Sequence, residues 1–205
     1  GLAFDSYRVP PVEDGPNATI LNRYDTVIWE TGDEWGDYMK EPESGRTLTN
    51  IDLVSLSEYL DQGGNLFLSG SFIGLEIRYD IFFSNYLHMD YEGAVNYTGP
   101  QSVYGVEDDR IGDNISITLS NRSSDSRDRF MCNYSVSDGT EVIFNVPEKN
   151  FDVGFRIDEE DYRAVYLSFP FEEISQDIHR NTIMARILEF LSPNLLISHD
   201  SHENT

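Results

Sequence analysis

The chain has 205 residues, with 14 Lys and Arg against 37 Asp and Glu, a formal net charge of −23. A surface this negative repels phosphate backbones and anionic membranes, which sets nucleic acid aside as a partner. Hydrophobic residues at 39% and aromatics at 13% exceed what a disordered acidic chain carries, and no apolar run approaches the ~20 residues that cross a bilayer, so one folded domain without membrane insertion is expected.

In chain order, Phe4-Asp5-Ser6-Tyr7-Arg8-Val9 alternates like a strand that Pro10-Pro11 ends, and a loop runs on through Gly15-Pro16. The β-branched and aromatic run from Tyr24 to Glu30 reads as a buried parallel strand leading into the polar loop Thr31-Gly32-Asp33. Thr49 or Asn50 can cap a helix over 50–62, with Ile51, Val54, Leu56, Tyr59 and Leu60 as its apolar stripe and Gly63-Gly64 as its stop. Asn65-Leu66-Phe67-Leu68-Ser69 follows as a second buried strand, so the three elements form a right-handed βαβ crossover. After Gly70 a helix is expected over 73–87. From 91 to 156 short alternating segments separated by Gly, Asn, Asp and Ser predict a β-rich insertion of antiparallel ribbons. Ala164–Phe169 restores a buried strand, and a last helix over 176–191 stops at Ser192-Pro193. The domain is expected to span 1–195, with a disordered polar tail over 196–205.

Several ordered segments together carry a resemblance: YDTVIWETGD (24–33), TLTNIDLVSLSEYLDQGGNLFLSG (47–70), YLHMDY (86–91), GVEDDRIGDNISITL (105–119) and YRAVYLSFPFEEI (162–174). Over residues 4–193 the chain resembles a class I glutamine-amidotransferase-like domain, of the non-catalytic kind found as a module in large secreted bacterial and archaeal proteins. The resemblance implies an α/β, flavodoxin-like three-layer sandwich with a mainly parallel sheet and an inserted antiparallel β-ribbon region. Catalytic members of that superfamily carry a cysteine in a Gly-x-Cys-x-Gly elbow, a strained turn that lifts the thiol to a helix N-terminus. Here the elbow reads Gly70-Ser71-Phe72-Ile73-Gly74, which puts Phe72 at the nucleophile position. The His-Pro-Glu segment that supplies the base matches Phe169-Pro170-Phe171-Glu172, which puts Phe169 at the position of the histidine. Two apolar rings at the two catalytic positions imply a filled pocket and no turnover. The alternative is a hydrolase that uses Ser71, with Glu172, Asp33 or His88 as its base. A strand and helix that usually precede the segment 4–9 are expected to be missing upstream, and an uncovered strand edge would then be a site for association.

Asp33, Glu34 and Asp37, then Asp108, Asp109 and Asp113, are the acidic clusters that leave calcium open as a cofactor, in a calcium-stabilised adhesion domain; neither has EF-hand spacing, and solvated loops are the simpler reading. Among these Asp33 stands out, because loops after parallel strands are where such sheets take ligands. Cys132 is solitary, which excludes a disulfide within the chain, and reads as a packed core thiol. Tyr91, Tyr97 and Tyr104 flank the ribbon region and could meet a sugar or a partner. Five Asn-x-Ser/Thr triplets, at Asn17, Asn96, Asn114, Asn121 and Asn133, exceed the one or two that chance gives for 14 Asn. With only Lys40 and Lys149 beside twelve Arg, they point to a glycosylated, salt-adapted, archaeal protein that is secreted or on the cell surface. Its expected partners are other domains or subunits of the same surface assembly, a second copy included.

Overall fold

The computed structural model describes residues 3–10, 13–32, 47–97, 99–120 and 129–193. Helix α1 (Ala18–Leu21) leads into β1 (Thr26–Gly32), and α2 (Asn50–Asp61) leads into β2 (Asn65–Gly70). Thr49 closes the start of α2 with a reciprocal cap: its hydroxyl accepts from Asp52 N and the Asp52 carboxylate accepts from Thr49 N. Gly63, at φ +85°, takes the left-handed turn that ends the helix. Next come α3 (Ile73–Glu76), α4 (Ile81–Tyr86), β3 (Met89–Tyr97), β4 (Gln101–Gly105), β5 (Ser116–Leu119), β6 (Arg129–Val136), β7 (Thr140–Val146), β8 (Phe151–Asp158), β9 (Arg163–Leu167) and α5 (Asp177–Leu191).

Seven strands form one mixed sheet in the order β1-β2-β9-β8-β7-β4-β5. Strands β1, β2 and β9 run parallel, joined by Thr26↔Asn65 and Leu66↔Ala164 among their pairs. From β9 to β5 every pairing is antiparallel. The mainly parallel sheet expected from the sequence is therefore confined to the half that holds the βαβ unit. The 91–156 region does supply antiparallel strands, four of which extend the main sheet, while β3 and β6 form a separate ribbon.

Alternation along the strands divides the core in two. Trp29, Leu66, Leu68, Ala164 and Tyr166 pack on one face with Leu53, Leu56 and Leu60 of α2 and with Phe82, Phe83, Cys132 and Tyr134. Phe67, Val165 and Leu167 pack on the other with Ile183, Ile187 and Phe190 of α5. Helices thus cover both faces of the sheet, as a flavodoxin-like α/β fold requires.

Two expected elements differ. The strand read at 4–9 does not form; residues 3–10 are all exposed and have no regular structure, because no strand among the described residues pairs with them to take their backbone hydrogen bonds. The single helix read over 73–87 is two short ones, since the Asp80 carboxylate accepts from Phe82 N and starts α4 afresh. The expected tail, together with Asp33, Glu34, Asp37 and Asn121, lies outside the described residues.

Candidate functional site

The carboxyl ends of β1, β2 and β9 come together, and the segments that leave them form the candidate site: Glu30–Gly32, Ser71–Phe72 and Ser168–Glu173. In open α/β sheets this end of the strands is where ligands bind. Gly70 and Gly74 frame the elbow because there is no room for a side chain. A Cβ on Gly70 would lie 1.9 Å from Thr31 Oγ1, and one on Gly74 would lie 1.7 Å from the Tyr134 hydroxyl. Neither glycine has a positive φ, and Phe72 sits at φ −107°, ψ −7°. The strained turn that the resemblance implies is absent at this elbow, and close packing is what requires its glycines.

Ser71 is buried, and its hydroxyl is occupied. It donates to Phe130 O at 3.0 Å and accepts from Phe130 N at 3.1 Å, while Ser71 N donates to Gly32 O at 3.0 Å. The side chain pins the elbow to β6. The buried Phe72 ring meets Phe130 edge-on, centroids 5.6 Å apart. Phe169 is fully buried on the α5 side of the sheet, 6.4 Å from the Phe144 ring. Its loop is held by Ser69, whose hydroxyl donates to Phe169 O at 3.1 Å and accepts from Phe171 N at 2.9 Å.

Of the bases named for Ser71, Glu172 does reach this end of the sheet, where it is exposed and its Oε1 lies 2.8 Å from the place of a Cβ on Gly32 (φ +61°). Beside it Glu30 has its carboxyl held above the usual range, by desolvation first and by the Glu172 charge second. His88 is brought nowhere near. Its Nε2 lies 3.0 Å from Oε1 of Glu159, in the β8–β9 connection, which is at the opposite end of the sheet from the elbow. Asp33 lies outside the described residues. A hollow of about 500 Å³ also opens at the opposite end, lined by Asp25, Asn65, Glu159, Glu160, Asp161 and Arg163 among others.

Sequence reading missed Glu173. It is buried and accepts from the Tyr97 hydroxyl at 3.2 Å, and its carbonyl accepts from Ser120 N at 2.7 Å. No local signal marks it, since Glu172-Glu173 reads as two equal acids and the partner Tyr97 is 76 residues away.

The acidic loop candidates serve their own backbone. Asp109 Oδ1 accepts from Ile111 N and Gly112 N at 2.8 and 2.9 Å, and its Oδ2 takes Arg156 Nε at 2.8 Å. Asp113 accepts from Asp108 N at 3.0 Å and from Asn114 Nδ2 at 2.6 Å. Among the described residues no three His, Cys, Asp or Glu side chains converge as a metal site. Of the acceptor asparagines, Asn17 caps α1, Asn96 and Asn114 are exposed, and Asn133 is half-buried with its Oδ1 accepting from Asp152 N at 2.8 Å. Cys132 is buried, and burial pushes its thiol up to about 12.

Solved structures share this α/β architecture. A GMP synthase subunit-like protein from Thermoplasma acidophilum matches with a TM-score of 0.58 at 12% identity, over 89% of this chain and 80% of that one. A ThuA-like protein from Bacteroides uniformis matches at 0.55 and 14%, over 86% and 74%. A cytoplasmic protein from Salmonella typhimurium matches at 0.53 and 14%, over 85% and 74%. At such identities the likeness shows the fold alone. No protein-family model matches the chain, and no curated protein matches it in sequence. The expected secreted or cell-surface location is corrected here: two structures that share the fold are those of cytoplasmic proteins.

Proposed function

We propose that this chain is a non-catalytic amidotransferase-like domain that acts in assembly or recognition, with other domains or subunits as partners. The observation that carries the reading is the packing of Phe72 and Phe169 at the positions where the resemblance places a thiol and an imidazole. A benzyl side chain neither attacks a carbonyl nor takes a proton. The occupied Ser71 hydroxyl supports the same reading, since a nucleophile must be free to leave its resting hydrogen bonds for a base about 3 Å away.

The test is turnover measured beside stability. Ammonia release from glutamine and hydrolysis of a small activated ester are both expected to stay at the buffer rate. Ser71→Ala should cost about 1–3 kcal/mol in urea unfolding, because it removes the hydroxyl that pairs the half-buried N–H and C=O of Phe130. Turnover that disappears in Ser71→Ala or Glu172→Gln while the fold persists would overturn the proposal.

A further inference from the structure

We infer that the open side of β1 docks a second copy of this chain, each copy adding its segment 3–10 as a strand to the other's β1. Strand β1 ends the sheet order, and β2 is its one strand partner among the described residues. Unpaired edges in folded proteins are guarded by charges, lysine above all, by proline or by bulges, and the one register shift in the β1–β2 pair lies at its far end, between Glu30 and Gly32. Thr26-Val27-Ile28-Trp29-Glu30 carries no lysine or proline, and Ile28 is 45% exposed.

The donor lies on the same chain. Residues 3–10 are all exposed, with Phe4 at 86%, Tyr7 at 62% and Val9 at 37%. Eight extended residues span about 26 Å, enough to line the seven residues of β1. The Tyr24 hydroxyl donates to Asp5 Oδ2 at 2.7 Å. That bond fastens the segment to the entry of its own β1, short of the strand's length. Asp5 and Arg8 cancel, so the segment brings no further charge to a body that already carries −23.

A second copy suits this surface better than a foreign strand does. A foreign strand would fill the edge yet leave Phe4 and Tyr7 in water. Mutual exchange fills both edges and buries both donors in one closed two-fold pair. Phe4 and Tyr7 from two copies make four rings, at ~150–250 Å² each. They would supply about half of the ~1,600 Å² typical of a stable interface, and Val9, Ile28 and the paired backbone add the rest. The inference concerns a surface apart from the elbow and holds whether or not the elbow turns anything over.

Sedimentation velocity on the full chain over a concentration series, at about 0.15 M salt to screen repulsion, tests it. A dimer is expected. Ile28→Lys alone, and Phe4→Ser with Tyr7→Ser, should each weaken it at least about tenfold with circular dichroism unchanged, since these side chains are largely exposed in the single copy. An equal mixture of the two variants should regain part of the dimer, because one of the two exchanges, the Ile28→Lys copy donating to the unaltered edge of the other variant, is then intact. A monomer at every concentration overturns the inference, and so does a dimer that survives either change.

Discussion

Ser71, Glu30 and Glu173 show how little of a side chain's role is written in its own position. Ser71 follows a glycine on an elbow, as a nucleophile might, yet its partner is the backbone of Phe130, 59 residues away. Glu30 stands at the end of an exposed edge strand, and its neighbour Glu172 arrives from after β9. Its folded carboxyl holds a proton more tightly than the unfolded chain does. The stability it contributes is therefore full below about pH 4.5, the ordinary carboxyl value, and is lost as pH rises through the raised folded value. Glu30→Gln should accordingly stabilise the protein at pH 7, by less than about 1 kcal/mol given solvent screening. That gain should vanish by about pH 4, which melting curves across pH would record. Phe72 and Phe169 could be placed from sequence because each sits beside a marker, the elbow glycines and Pro170. Glu173 could not, since Tyr97 meets it across 76 residues.

At the scale of elements, the elbow is a clamp between β2, α3 and the β3–β6 ribbon. Gly74 of α3 lies under the Tyr134 hydroxyl, which in turn sits 3.0 Å from the Tyr166 hydroxyl in the core. Gly74→Ala should cost about 1–3 kcal/mol in urea unfolding, the usual penalty of overpacking. The cost should be smaller in a Tyr134→Phe background, which removes the atom in the way. Strands β2 and β9 were legible because a continuous apolar run and burial agree, whereas the stripe of α2 was read only in part: Leu56, Tyr59 and Leu60 are buried, but Ile51 and Val54 are exposed and Leu53 is buried in their stead. The segment 4–9 has strand composition but lacks a neighbour, and no local pattern can report that. Nor could the sequence say that four strands of the 91–156 region would extend the main sheet, because pairing joins residues such as Tyr104 and Asn145.

For the whole molecule, net charge acts at every distance that salt leaves unscreened. A net −23 on 205 residues opposes compaction through self-repulsion, which salt relieves. Raising salt from 0.1 to 1 M shortens the screening length from about 10 to about 3 Å. The melting midpoint should rise by about 2–4 °C for each kcal/mol so relieved, and a calorimetric series in sodium chloride would measure it. A flat or falling midpoint would mean that ion pairs such as Arg156–Asp109 outweigh the repulsion.

Phe72, at φ −107°, leaves the bend between β2 and α3 in a relaxed backbone conformation. A reactive thiol held in a strained turn restricts its neighbours, because each must help maintain an unfavourable torsion. A relaxed backbone makes no such demand, so the residues around this bend have only to fit one another and can vary together while the architecture persists. The 12–14% identities to solved structures of the same shape show how widely residues can differ over one fold.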